Sequence, residues 1–325
     1  SLLAYSDATG IGKVRQRIAQ YYADHYNIDL DPNRVIITTG SSAGFVLSFA
    51  ALFDAGDKVG VIEPGYPAYP NILKALSIDP VRIPVHDDPD FVPAIHHIEQ
   101  AGPLDGLLLA SPSNPTGSIT PGDRLGALIE VIEAQNGAFI SDEIYHGITF
   151  NDDHRDAPTA LSYSDNAVVV SSFSKYFSMT GWRIGWMVVP DYMVDPVTRL
   201  QQSLYISPPT LSQLATLKVF DAFDELEDNV TVYKRNREIL ITGLKELGFA
   251  PSAADGAFYT YVDISSRSDD SSAFCSAMLN EAGIAATPGA DFDSTQGHNY
   301  VRMSFSGATQ DIEEAIRRLK VWLQA

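Results

Sequence analysis

The chain has 325 residues, enough for two domains or for one large α/β unit with an appendage, and a chain of this size buries enough surface to need neither disulfides nor a structural metal. Twenty-two Lys and Arg against 41 Asp and Glu give a net charge of −19, which argues against nucleic acid or an anionic membrane as the main partner but leaves room for a small anion held by a few well-placed cations. The single cysteine, Cys275, can form no internal disulfide, no apolar run approaches a membrane span, and the first residues lack a basic-then-apolar signal, so a soluble cytoplasmic protein is expected.

Short β-branched runs alternate with longer amphipathic ones. A strand is predicted at 35–39 with a helix after it at 41–53, and further strands at 59–62, 81–85, 106–110 and 138–141. Helical spacing recurs at 72–77, 93–101 and 121–135. Apolar runs bounded by Gly, Pro and Asp suit strands covered on both faces of a parallel sheet. Strands at 168–172 and 184–189 then follow with only a loop between them, which breaks the alternation. From 192 to about 247 the chain is predicted mostly helical, broken at Ser207, Pro208 and Pro209. It ends in one connecting helix over 226–247, where Leu226, Val230, Tyr233, Arg237, Leu240, Leu244 and Leu247 recur on one face. Past Gly248, strands at 258–264, 284–287 and 300–305 are separated by helices at 271–282 and 309–324, a smaller α/β unit of different topology.

Several strand ends carry residues suited to chemistry. Gly40-Ser41-Ser42-Ala43-Gly44 fits a nucleophile elbow built on Ser42, a helix start whose free amides hold a phosphate, or a plain serine N-cap. The elbow requires several strands and an oxyanion loop before it, and only one short segment precedes Ser42. Ser172-Phe173-Ser174-Lys175 matches S-x-x-K, but the S-D-N and K-T-G strings that accompany that motif do not occur. Lys175 itself stands in apolar and aromatic sequence, which lowers an amine's pKa and leaves it able to attack carbonyls. Asp142 and Glu143, in Ser141-Asp142-Glu143-Ile144-Tyr145, could be a metal pair, an acid–base pair, or one buried and one exposed acid, and strand alternation favours the last. No H-E-x-x-H and no cysteine cluster occurs, so no metal site is expected. Ser111-Pro112-Ser113-Asn114-Pro115-Thr116-Gly117 has the composition of a turn. Arg183 follows Lys175 closely, and Arg302 lies within an apolar strand, where a guanidinium needs a carboxylate or phosphate partner.

In chain order these pieces resemble the class I aminotransferases, fold type I enzymes that use pyridoxal 5′-phosphate (PLP). The resemblance rests on Gly40-Ser41-Ser42, Glu63-Pro64-Gly65-Tyr66-Pro67-Ala68-Tyr69, Ser113-Asn114-Pro115-Thr116-Gly117, Ser141-Asp142-Glu143-Ile144-Tyr145, the run from Ser171 through Lys175 to Gly181-Trp182-Arg183-Ile184-Gly185, and Arg302 with Ser304. It implies a mostly parallel central sheet flanked by helices, with a large PLP-binding domain over 1–225 and a smaller C-terminal α/β domain over 226–325. By the same resemblance Lys175 carries the cofactor as an internal aldimine and shuttles a proton at the substrate Cα, and Asp142 pairs with the pyridine nitrogen. Tyr145 and Asn114 match residues that hydrogen-bond the phenolic oxygen, and Asn114 also lies at the substrate side. Tyr66 matches a ring stacked on the pyridine, and Ser41, Ser42, Ser172 and Arg183 match the phosphate clamp. Arg302 matches the arginine that takes the substrate α-carboxylate and so aims Cα–H at Lys175. Tyr5 matches a tyrosine that reaches the phosphate of a neighbouring subunit, which implies a homodimer.

Family members begin several dozen residues before the Tyr5 motif, with a segment that covers the substrate pocket and completes the small domain; such a segment is expected to stay mobile until ligand orders it. The expected activity is transfer of an amino group between an L-amino acid and a 2-oxo acid. The alternatives are a PLP lyase or synthase of the same fold, a serine hydrolase using Ser42, and a binding module with a degenerate site. No second cation marks a dicarboxylic substrate.

Overall fold

Strands apolar along their whole length need cover on both faces, and the computed structural model, which describes residues 4–150 and 157–324, shows how the chain provides it. The first part runs α1 (Gly12–Tyr26), β1 (Val35–Thr38), α2 (Ser41–Leu52), β2 (Lys58–Glu63), α3 (Ala68–Ala75), β3 (Asp79–Pro84) and α4 (Ile95–Ala101). It continues through β4 (Gly106–Ala110), α5 (Gly122–Ala134), β5 (Ala138–Asp142), β6 (Val168–Ser172) and β7 (Gly185–Val188). Three helices follow, α6 (Asp191–Tyr205), α7 (Thr210–Val219) and α8 (Phe223–Glu246). The remainder is β8 (Ala250–Pro251), β9 (Tyr259–Asp263), α9 (Ser271–Ala277), β10 (Thr287–Pro288), β11 (Tyr300–Ser304) and α10 (Thr309–Trp322).

A seven-stranded sheet has the order β1-β7-β6-β5-β4-β2-β3. Strands β3, β2, β4, β5 and β6 are mutually parallel, whereas β7 runs antiparallel to both β6 and β1. The loop-only link after 168–172 is therefore a reversal of direction, which needs no helical crossover. Side-chain alternation divides each strand between two layers. Val168 and Val170 pack with Phe45, Phe49 and Met193, while Val169 packs on the opposite face with Ile18, Leu128 and Ile132. Likewise Trp186 and Val188 face one layer and Met187 the other.

The second sheet is antiparallel, in the order β10-β11-β9-β8. Helices α8 and α10 pack on each other beside it, and Gly243 permits that approach: a Cβ there would lie 2.7 Å from Ile316 Cγ2.

Some elements depart from expectation. Helix α1 was not predicted, although Val14, Ile18, Ala19, Tyr21 and Tyr22 all bury along one of its faces; its polar residues mask that stripe in a linear reading. The strand expected at 284–287 shrinks to Thr287–Pro288, because the preceding helical turns end only at Gly283 in left-handed backbone (φ 68°). The long helix expected at 226–247 starts slightly earlier, at Phe223.

Trp186 is 2% exposed, packs 4.8 Å from the Phe173 ring and donates its indole N–H to Tyr22 at 3.3 Å. Replacing it with alanine should cost about 3–5 kcal/mol, read as a lowered urea midpoint at unchanged m; a cost under about 1 kcal/mol would show that this layer is not the core.

Candidate active site

The carboxyl ends of β4, β5 and β6, the start of α2, and β11 of the second sheet converge on one cavity of about 260 Å³. Ser41, Ser42, Tyr66, Asn114, Tyr145, Ser172, Lys175, Arg183 and Arg302 all line it. Asp142 is the last residue of β5 and is fixed to the cavity wall by Tyr69, whose hydroxyl donates to Asp142 Oδ2. Tyr5 alone of the sequence candidates stands apart, 79% exposed.

Lys175 follows the end of β6 and is half-buried, its Nζ 5.6 Å from the ring centroids of both Tyr145 and Phe258. Burial pushes its amine below the ordinary lysine value; Arg302 and Arg183 push in the same direction, and Asp142 opposes them. Asp142 is only 2% exposed, and burial raises its carboxyl to about 6. The Tyr69 hydroxyl, the Ile144 amide at 3.1 Å and the charge of Lys175 limit that rise.

Arg302 donates from Nη1 to Asn114 Oδ1 at 2.9 Å and from Nη2 to Thr287 Oγ1 at 3.1 Å. The rings of Tyr259 and Phe292 lie 4.3 and 4.7 Å from its guanidinium carbon, and its Nε is buried without a partner. Arg183 has left-handed backbone (φ 51°) and donates from Nη1 to the Thr180 carbonyl at 3.1 Å. Its other end reaches Gly40, the N-cap of α2, where a Cβ would come within 2.7 Å of Nη2 and where φ is +77°. The positive φ selects glycine there, and a Cβ would in addition push the guanidinium aside. No side chain caps α2, so its first amides face the cavity beside Arg183.

None of these three cations has a carboxylate within ion-pair distance among the described residues. Uncompensated cations around a cavity call for anions, and the donor set divides accordingly. The α2 amides, Arg183 and Ser172 suit a phosphate, while the planar fork of Arg302 suits a carboxylate. Asp142 suits a protonated ring nitrogen. The residues present thus fit PLP together with an amino-acid carboxylate. A serine-hydrolase site fits poorly, since no histidine lines the cavity beside Ser42 among the described residues.

Glu143 differs from expectation. It is 1% exposed, so both acids of the pair are buried. β5 ends at Asp142, alternation no longer applies, and Glu143 Oε1 turns to accept from Ser141 Oγ (3.0 Å), Thr159 Oγ1 (3.0 Å) and the Ala160 amide (2.8 Å). Burial pushes its carboxyl up to about 7.

Sequence reasoning missed Tyr69, Tyr259, Phe292 and Thr287. Tyr69 lies one helical turn beyond Tyr66, a spacing that carried the signal. Tyr259 and Thr287 meet Arg302 only through folding of the second sheet, and Phe292 comes from a segment outside both sheets. Asp87, His96 and His97 also bring possible ligand atoms within 4.8 Å of one another. His97 Nδ1, however, accepts the Ala94 amide at 2.9 Å, which leaves the proton on Nε2 facing Asp87 Oδ1 at 2.6 Å and makes the trio a hydrogen-bond network.

The family described as Aminotransferase class I and II matches residues 1–319. The valine–pyruvate aminotransferase of Mycobacterium tuberculosis is 45% identical, over 99% of this chain and 84% of that one. The (5-formylfuran-3-yl)methyl phosphate transaminase of Methanocaldococcus jannaschii is 33% identical, over 98% and 83%. The crystal structure of an aminotransferase from Mycobacterium tuberculosis matches with a TM-score of 0.97 at 44% identity, over 99% of this chain and 84% of that one.

A raised carboxyl pKa means the folded chain holds this proton more tightly than the unfolded chain does. Its contribution favours folding at low pH and is lost as pH rises from about 4 through about 6. Asp142→Asn should therefore stabilise the cofactor-free chain by about 3 kcal/mol at neutral pH and by little near pH 4, read from urea unfolding at both values. Equal effects at the two pH values would contradict a buried Asp142 with a raised pKa.

Proposed function

The chain belongs to the class I and II aminotransferases, and on that premise we propose that Lys175 is its catalytic residue, Asp142 and Arg183 its main cofactor anchors and Arg302 its substrate anchor. It is a PLP-dependent transaminase that moves an amino group between an amino acid and a 2-oxo acid. The observation that carries the assignment is the convergence, on one cavity beside a buried acid, of three cations with no counter-ion among the described residues.

PLP, when bound, supplies an electron sink for the bond broken at the substrate Cα. Lys175 Nζ, its basicity lowered by burial and by two arginines, would hold the cofactor and hold and return the proton at Cα. Asp142 in its ionised form accepts the pyridine N–H, and Tyr69 keeps that carboxylate oriented. Arg183, Ser172 and the first amides of α2, at Ser41 and Ser42, take the phosphate. Tyr145 and Asn114, which line the cavity, would hold the phenolic oxygen, and Tyr66 would cover the ring. Arg302 takes the α-carboxylate and, with Asn114, sets which Cα bond faces Lys175. The cofactor lobe is assigned to 1–225 and the smaller lobe to 226–325.

The donor is assigned as a neutral aliphatic amino acid and the acceptor as pyruvate. Two observations support this: the name of the relative at 45% identity, and the described cavity lining, which offers no fourth cation for a second carboxylate. A homodimer completes the site. Tyr5, Trp182, Leu204, Ile206 and Leu211 leave 45–79% of their surface exposed along neighbouring segments tied by Thr210 to the Ala4 carbonyl and by Ser212 to that of Trp182. No described helix is long and apolar enough to cross a membrane, and the assigned compartment is the cytoplasm.

Borohydride treatment of the PLP-loaded protein should leave a reduced cofactor on the peptide containing Lys175 and none in Lys175→Ala. Valine with pyruvate should yield alanine and the branched 2-oxo acid without ammonia. An adduct that survives in Lys175→Ala would overturn the lysine assignment, and release of ammonia with pyruvate would mark a lyase.

A further inference from the structure

Phe292, one of the two rings against Arg302, belongs to neither sheet, yet three consecutive residues around it are tied across the seam between them. The Phe292 carbonyl accepts the Gly65 amide at 2.9 Å, directly before Tyr66. Asp293 is 2% exposed; its Oδ2 lies 3.0 Å from His86 Nε2, and its Oδ1 accepts the Thr295 amide and hydroxyl, both at 2.8 Å. These contacts outweigh burial and hold its carboxyl down to about 2. Ser294 donates its hydroxyl to Glu63 Oε2 at 3.0 Å. Glu63, also 2% exposed, is the last residue of β2 and pairs with Arg82 of β3.

One buried carboxylate from each side of the seam thus grips the segment that carries Phe292. Neither lines the cavity of Lys175. Apolar contacts would join the two surfaces at lower desolvation cost; what the carboxylates add is direction, because Glu63 meets Ser294 and Arg82, and Asp293 meets His86 and Thr295, in one arrangement. Phe292 in that arrangement keeps water from one side of the Arg302 guanidinium, and a desolvated fork binds a carboxylate more strongly.

We propose that Glu63 and Asp293 are positioning residues for the substrate carboxylate, acting by clamping Phe292 over Arg302. This rests on Arg302 as the carboxylate-binding group.

The test uses PLP-loaded wild type, Glu63→Gln, Asp293→Asn, Ser294→Ala and Arg302→Lys. Each is measured for KM and kcat with valine, for cofactor affinity, for its urea midpoint, and for the Kd of 3-methylbutanoate, a carboxylate without an amino group, from the absorbance of the bound cofactor. Glu63→Gln and Asp293→Asn should raise KM and this Kd about fivefold or more, with kcat and cofactor affinity within about twofold. Ser294→Ala, which removes only an exposed hydroxyl and keeps the test open if a buried variant does not fold, should raise both about threefold. If Arg302→Lys weakens 3-methylbutanoate and the clamp variants do not, the clamp fails and Arg302 stands. If Arg302→Lys leaves that Kd unchanged, Arg302 and the clamp fall together. A parallel loss of KM, kcat, cofactor affinity and urea midpoint would make the seam a structural staple and overturn the proposal.

Discussion

Lys175, Arg183 and Arg302 share one cavity, and among the described residues no carboxylate comes within ion-pair distance of any of them. In a chain with 41 acidic residues against 22 Lys and Arg, counter-ions are plentiful, so their distance from these three side chains is a constraint that the surrounding structure satisfies. Each cation is held by neutral groups instead: Arg302 by Asn114 and Thr287, Arg183 by the Thr180 carbonyl, Lys175 by aromatic walls. Neutral acceptors orient a charge without cancelling it. The full attraction is left for a phosphate and a carboxylate, which is what a transaminase must hold at once.

The fold makes this possible by assembling strand ends. Parallel strands place Asp142 and Lys175 at the same edge of the sheet, and the reversal of β7 brings Arg183 back toward the start of α2. Gly40, whose positive φ favours glycine, lets that arginine lie against the helix start, where a Cβ would push the guanidinium aside. The antiparallel second sheet contributes from the other side of the cavity, with Arg302 on β11 and Tyr259 on its partner strand β9. Asp142 shows what such a site costs the empty protein. A carboxyl raised to about 6 is a burial that its hydrogen bonds only partly offset and that a positively charged ring nitrogen would relieve.

Residues whose partners lie at strand ends were legible in the sequence, because a parallel sheet brings those ends to one edge whatever the loops do. That is why Asp142 and Lys175, which end or follow neighbouring parallel strands, could be named from short strings and lie at one edge of the sheet. The partners that helix phase or antiparallel register bring to Arg302 were not legible, although Arg302 itself was. Thr287 faces Arg302 because β10 pairs with β11, and Phe292 arrives from a segment outside both sheets. Glu143 misled for a local reason: the rule of alternation was carried one residue past the end of its strand. Helix α1 was overlooked because its apolar stripe is interrupted by Lys13, Gln16 and Gln20, which become an outer face only once the helix winds.

The division of anions among the cations is tested most directly by binding of PLP and of pyridoxal, which lacks the phosphate, to the cofactor-free wild type and to Arg183→Gln. Arg183→Gln should weaken PLP by about a hundredfold and pyridoxal by less than about threefold. Equal weakening of both ligands would show that Arg183 does not hold the phosphate and would contradict the assignment of the three cations to two anions.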